Sequence, residues 1–225
     1  MGLLVVALLS PTVSSAQVTP FTQRTYDSIQ AGVQYLRENV NAAGHWGTLT
    51  GLGVLAFLEQ PSHPGRHAPV VGFRGLSGDD QRLVRTALRN CIDARDVSTV
   101  PRAGGIVSAG FDRNGFSTYA LSACLMGMAV HLSTGGIDEV GAVMTVTRAV
   151  EAGTLHLLGT QAAGGWSYAG GGGGDLSNTH FGQMAISSVQ RHVRHLADGI
   201  QINLAAQVAN TVKKPDGSHG NYPPG

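Results

Sequence analysis

Apolar residues recur with helical spacing in one segment of this chain after another. In residues 26–40, Ile29, Val33, Leu36 and Val40 share one face. Gly44 follows as a stop, then His45-Trp46-Gly47. Thr48 and Thr50 stand where the next helix needs a cap; it carries Leu52, Leu55, Ala56 and Leu58 and ends at Gln60-Pro61. A polar loop with Pro61, Pro64, Gly65, Gly72 and Gly75 comes next. Ser77-Gly78-Asp79-Asp80 then caps a helix through Leu83, Leu88, Cys91 and Ile92. A second glycine-bearing loop leads to Ser117 and Thr118, caps for an almost wholly apolar helix over 119–130. Residues 143–158 form another amphipathic helix, Asn178 or Thr179 caps one through Phe181, Met184, Ile186 and Val189, and 200–212 is the last. No segment alternates convincingly as a strand, so the pattern predicts an all-α chain.

The helices alternate between amphipathic and more apolar, separated by glycine-rich turns, which points to an internal repeat. Gly32-Val-Gln-Tyr35-Leu36 followed by Gly44-His-Trp46 matches Gly153-Thr-Leu-His156-Leu157 followed by Gly164-Gly-Trp166, with one residue fewer between the blocks. A third copy, Ala205-Ala-Gln-Val208-Ala209 then Gly217-Ser-His219, carries His in the Trp slot. Neither helix of such a hairpin buries its apolar face alone, so hairpins must stack. The expected role of Trp46 and Trp166 is packing across the turn, ahead of sugar stacking.

Composition narrows the choice of partners. The chain has 225 residues, 42% hydrophobic and 13% charged, with a formal net charge of +1. That suits a folded core and gives no electrostatic pull toward nucleic acid. Residues 1–16 resemble an export signal: a short apolar run from Leu3 to Leu9, Pro11, then Ser14-Ser15-Ala16 before Gln17, although no Lys or Arg precedes the run. The run is too short to span a bilayer. The expectation is a secreted or periplasmic repeat domain over 17–225 with no membrane span. Export would permit a bond between Cys91 and Cys124; two buried thiols are the alternative.

The repeat blocks resemble those of the α/α-toroid superfamily of squalene–hopene cyclases and protein prenyltransferase β-subunits, whose motif runs basic–Gly, aromatic–aliphatic, Gln, then Gly-x-Trp. Gln161 stands one residue closer to its Trp than the motif has it; in the first copy Val40 replaces the Gln and Ala31 the basic residue. The resemblance implies a ring of about six hairpins, of which three and a lone helix are counted here. It therefore implies a partial ring, truncated at the C-terminus, that exposes apolar inner helices such as 119–130 and self-associates.

The cyclase motif Asp-x-Asp-Asp-Thr compares with Asp175-Leu-Ser177-Asn178-Thr179. Asp175 and Thr179 fit, but a hydroxyl and an amide replace the inner carboxylates and cannot deliver the proton of a cationic cyclisation. The zinc pattern of the transferases is also missing: Cys91-Ile-Asp93 has the reverse order, and His192 and His195 read better as a basic last helical turn. No metal or other cofactor is expected. The function expected is an exported toroid-repeat protein without cyclase or transferase activity, in a binding or scaffold role. The alternatives are a fragment of a terpene cyclase or prenyltransferase-class enzyme, and a secreted polysaccharide-active toroid. If the chain is catalytic, Asp175 and His180 are its residues; Trp166, Tyr168, Asn178 and Tyr119 are the cavity-lining candidates for a hydrophobic or carbohydrate ligand.

Overall fold

The structure, a computed structural model, describes residues 18–93, 97–101, 107–111, 117–161, 165–168 and 175–193. The expected leader, the glycine run 170–174, the helix expected at 200–212, the third repeat copy and His195 lie outside the described residues.

Helix α1 (Pro20–Glu38) starts six residues earlier than the apolar spacing suggests. Thr19 and Thr22 form a reciprocal capping box, and Pro20 occupies the first helical position, where its missing N–H costs nothing. Only Val33 of α1 is buried. A turn through Gly44 and Gly47, both with positive φ, leads to a short 3-10 turn and then α2 (Thr50–Glu59), whose buried residues include Gly53, Val54, Phe57 and Leu58. Neither Thr48 nor Thr50 caps α2. The Thr50 hydroxyl instead donates to Gly47 O and accepts from Trp46 N, which tightens the turn.

The loop after α2 contains one helical turn, α3 (Gly72–Gly75), docked on Thr134. Helix α4 (Gly78–Ile92) is capped by Ser77 as expected. Arg37 grips the Asp80 carboxylate with two bonds of 2.8 Å, which ties α1 to α4 and holds that carboxyl below its usual range. The next glycine-bearing loop holds a short antiparallel hairpin, β1 (Val97–Pro101) with β2 (Val107–Phe111), Val97 opposite Phe111. Two five-residue strands rich in Val, Ser and Thr pair locally, a signal too short to register as alternation. The remaining helices are α5 (Ser117–Ser133), α6 (Val146–Gly159, capped by Thr145) and α7 (Leu176–His192).

The molecule is mostly helical, and its described core is a row of three helices: α5 packs between α2 and α7. Helix α4 lies against α2, and α6 against α5 and β2. A methyl group on Gly51 would run into the Ala123–Cys124 backbone, so glycine sets how closely α2 approaches α5. Residues 120–131 are all buried, because α5 is covered from both sides. The expectation that this apolar helix lies open is thereby corrected. Cys91 and Cys124 are disulfide-bonded, with Cα atoms 6.4 Å apart, linking α4 to α5. The α5–α6 connection is pinned by His131, fully buried, with its Nε2 2.9 Å from Ile137 O and its ring edge-on to Phe73 at 4.5 Å.

The repeat seen in the sequence is repeated in the bonding. Trp46 Nε1–H donates to Leu36 O at 3.0 Å, and Trp166 Nε1–H to Leu157 O at 2.6 Å. Leu36 and Leu157 are the equivalent residues of the two blocks. The backbone N–H of each Trp donates to a threonine hydroxyl, Thr50 or Thr179, and each ring covers the glycine three residues further on, Gly53 or Gly182. The second copy differs by an insertion between Trp166 and Thr179, which carries the glycine run and Asp175.

Candidate functional site

Helix α7 is capped by Asp175, not by Asn178 or Thr179. The backbone is already helical from Leu176, so those two side chains stand inside the first turn. Asp175 Oδ1 accepts from Asn178 N at 2.9 Å and from the Ser177 hydroxyl at 2.7 Å; Oδ2 accepts from Asn178 Nδ2 at 2.6 Å. Both oxygens are thus committed to the helix start, where the free N–H groups and the dipole favour an anion. Asp175 and Asn178 are buried, and Asn178 Oδ1 has no hydrogen-bond partner.

Trp166 is fully buried between its carbonyl partner and Gly182, so no face is left for a ligand. Tyr119 and Tyr168 come together at the start of α5. Their rings are 5.6 Å apart, and Tyr119 meets the edge of Phe181 on α7 at 4.5 Å. Thr118 Oγ1 donates to Ser167 O at 2.7 Å and fastens this end of α5 to the Trp166 turn. The Tyr119 phenol, through charge and a hydrogen bond, raises the Tyr168 phenol above its ordinary range. Tyr168 remains 42% exposed.

His180 lies apart from this cluster, on the exposed side of α7. It lines a groove of about 460 Å³ whose walls are α2, α5 and α7, within the range of about 300–1,000 Å³ usual for small-molecule sites. Leu52, Leu55, Met126, Phe181 and Met184 make its apolar lining; Glu59, Gln183, Ser187, Ser188, Arg191 and His192 supply polar groups. Gln183 Nε2 is buried without a hydrogen-bond partner among the described residues. Among the described residues neither Glu59 nor Arg191 is in an ion pair. His192 Nδ1 is 2.9 Å from the Ser133 hydroxyl, and burial, then Arg191, lowers its pKa against a weaker pull from Glu59.

The candidate residues therefore divide. Asp175, Asn178 and Trp166 hold the fold, Tyr119 and Tyr168 form an aromatic junction, and His180 alone faces the groove. Met126, Gln183 and Arg191 were not singled out from the sequence. The available signal was positional: His180, Gln183, Met184, Ser187 and Arg191 recur at helical spacing on a helix whose other face is apolar. Among the described residues no three His, Cys, Asp or Glu gather as metal ligands, and no helix is long and apolar enough to cross a membrane. No known protein family, curated protein or solved structure matches the chain.

Proposed function

We propose that this chain is an exported helical-repeat protein of the α/α-toroid type, and that it binds a small, mostly apolar ligand in the groove formed by α2, α5 and α7 without cyclase or transferase chemistry. The observation that carries the reading is the groove itself, with an apolar lining, an unpartnered buried Gln183 donor and unpaired charges at Glu59 and Arg191. Shared Trp–Leu and Trp–Thr bonds in the two repeat copies support the toroid reading. The commitment of Asp175 to the α7 cap supports a non-catalytic role, and the Cys91–Cys124 bond is compatible with an oxidising compartment. Burial of Trp166 takes the sugar platform away from a polysaccharide-active reading.

The test is binding of the apolar anionic dye 1-anilinonaphthalene-8-sulfonate by the full chain and by Ser187→Trp, which fills the groove from an exposed position. The expected outcome is saturable binding that weakens at least tenfold in the variant, with the unfolding midpoint unchanged. Equal binding by both proteins would refute the groove. Turnover of squalene or of a prenyl diphosphate with a cysteine peptide, lost in Asp175→Asn, would refute the non-catalytic reading.

A further inference from the structure

A second group of exposed apolar side chains lies on α1 and at the start of α2: Phe21 is 71% exposed, Tyr35 63%, Leu49 60% and Leu52, which also borders the groove, 38%. Along α1, Phe21, Thr25, Ser28, Gly32 and Tyr35 follow a 4-3-4-3 spacing and so share one stripe, aromatic at its two ends and small in between. All five are exposed. A nineteen-residue helix that buries only Val33 draws little stability from its own chain.

The seam is built for burial. The Thr25 hydroxyl donates to Phe21 O at 3.0 Å and the Ser28 hydroxyl to Arg24 O at 2.9 Å, so covering them strands no donor. Space is open around Gly32, which lets a second backbone come close. It is also symmetric: Phe21 and Tyr35 each stand seven residues from Ser28. Beside Tyr35 opens a cleft of about 480 Å³ lined by Leu36, Trp46, Leu49 and Leu52.

We infer that this face is an isologous dimer interface, in which α1 packs antiparallel against α1 of a second copy about a two-fold axis at Ser28. A two-fold contact requires a patch complementary to itself. Here Phe21 of each copy enters the cleft beside the other's Tyr35, and the small residues meet at the centre. The charges fit this orientation and oppose a parallel one. The first turn of α1 holds no acidic residue, while Glu38 closes the last turn and its neighbour Arg37 is engaged by Asp80. The antiparallel pair brings the positive N-terminal end of the other helix beside each Glu38, which otherwise faces only the negative end of its own. Covering the four large side chains removes roughly 400 Å² of apolar surface per copy, about half the ~800 Å² per partner of a standard complex. An interface of this size belongs with reversible rather than permanent complexes.

Sedimentation of the full chain from 1 to 300 μM, with disulfide trapping of Ser28→Cys, tests the interface. The expected results are a monomer–dimer equilibrium, covalent dimer formed by Ser28→Cys with itself, and association weakened at least tenfold by Gly32→Leu. Gly32→Leu separates packing from folding: among the described residues no atom lies within 4 Å of a Cβ at that exposed position, and leucine favours the helix. Phe21→Ser should act in the same direction as Gly32→Leu. A monomer throughout the range overturns the inference, as does a dimer that Ser28→Cys fails to link or that survives Gly32→Leu. An intrachain photocrosslink from position 21 to residues 1–17 or 194–225 in a monomeric sample also overturns it, because the face is then covered by its own chain.

Discussion

Alanine at the two glycines beneath the tryptophan rings tests whether the repeat is a physical unit. Gly182 lies under Trp166, and a Cβ there would come within 2.7 Å of ring atom Cε3, closer than side-chain carbons sit. The ring has nowhere to go: it is fully buried and its Nε1–H is held by Leu157 O. Overpacking of this kind costs about 1–3 kcal/mol. Replacing glycine by alanine inside a helix returns about 0.8–1 kcal/mol. The net expectation for Gly182→Ala is a loss of up to about 2 kcal/mol. A Cβ on Gly53 would meet the Trp46 ring still more closely, and that indole is likewise held by Leu36 O, but the ring is only partly buried and borders the cleft beside Tyr35, so it can tilt. Gly53→Ala should therefore cost about 1 kcal/mol less, close to neutral given the same helix gain. Urea unfolding at fixed pH, read by tryptophan fluorescence and circular dichroism, measures both. If Gly182→Ala were stabilised by the full propensity gain, the close contact would not exist and the equivalence of the two turns would fall with it.

Asp175→Ala should cost about 1–2 kcal/mol by removing the α7 cap, whereas Asn178→Ala leaves that cap in place; differential scanning calorimetry compares them. Burial holds the His131 pKa below its ordinary value, helped by Arg85 and opposed by the Ile137 bond and Asp138. The unfolded chain therefore takes up this proton first, and stability should decline as pH falls below about 6.5, with His131→Gln flattening that part of the profile. Reduction of Cys91–Cys124, which spans 33 residues, should lower stability by about 3–4 kcal/mol on the chain-entropy account, seen as a drop in urea midpoint on adding a thiol reductant.

Much of the helical organisation was legible without coordinates, because it rests on local spacing and on residues that act within a few positions. The apolar periodicity located six of the seven helices described, and aligning Leu36–Trp46 with Leu157–Trp166 marked as equivalent the residues that the structure then joins by carbonyl–indole bonds. Ser77 was readable as a cap for the same reason: a hydroxyl three residues ahead of the N–H from which it accepts needs no tertiary partner. Boundaries slipped where a cap competed with the periodicity. Thr19 and Pro20 set the start of α1 despite the lack of apolar spacing there, and Asp175 took the cap expected of Asn178 or Thr179. Tertiary structure decided whatever depends on which faces meet. It brought Cys91 to Cys124, buried the most apolar helix, 119–130, and left the aromatic seam of α1 exposed. It also sorted the candidate residues, placing Trp166 inside and His180 on the groove. Periodicity shows that a helix has an apolar face; only the neighbours present in space determine whether that face is covered.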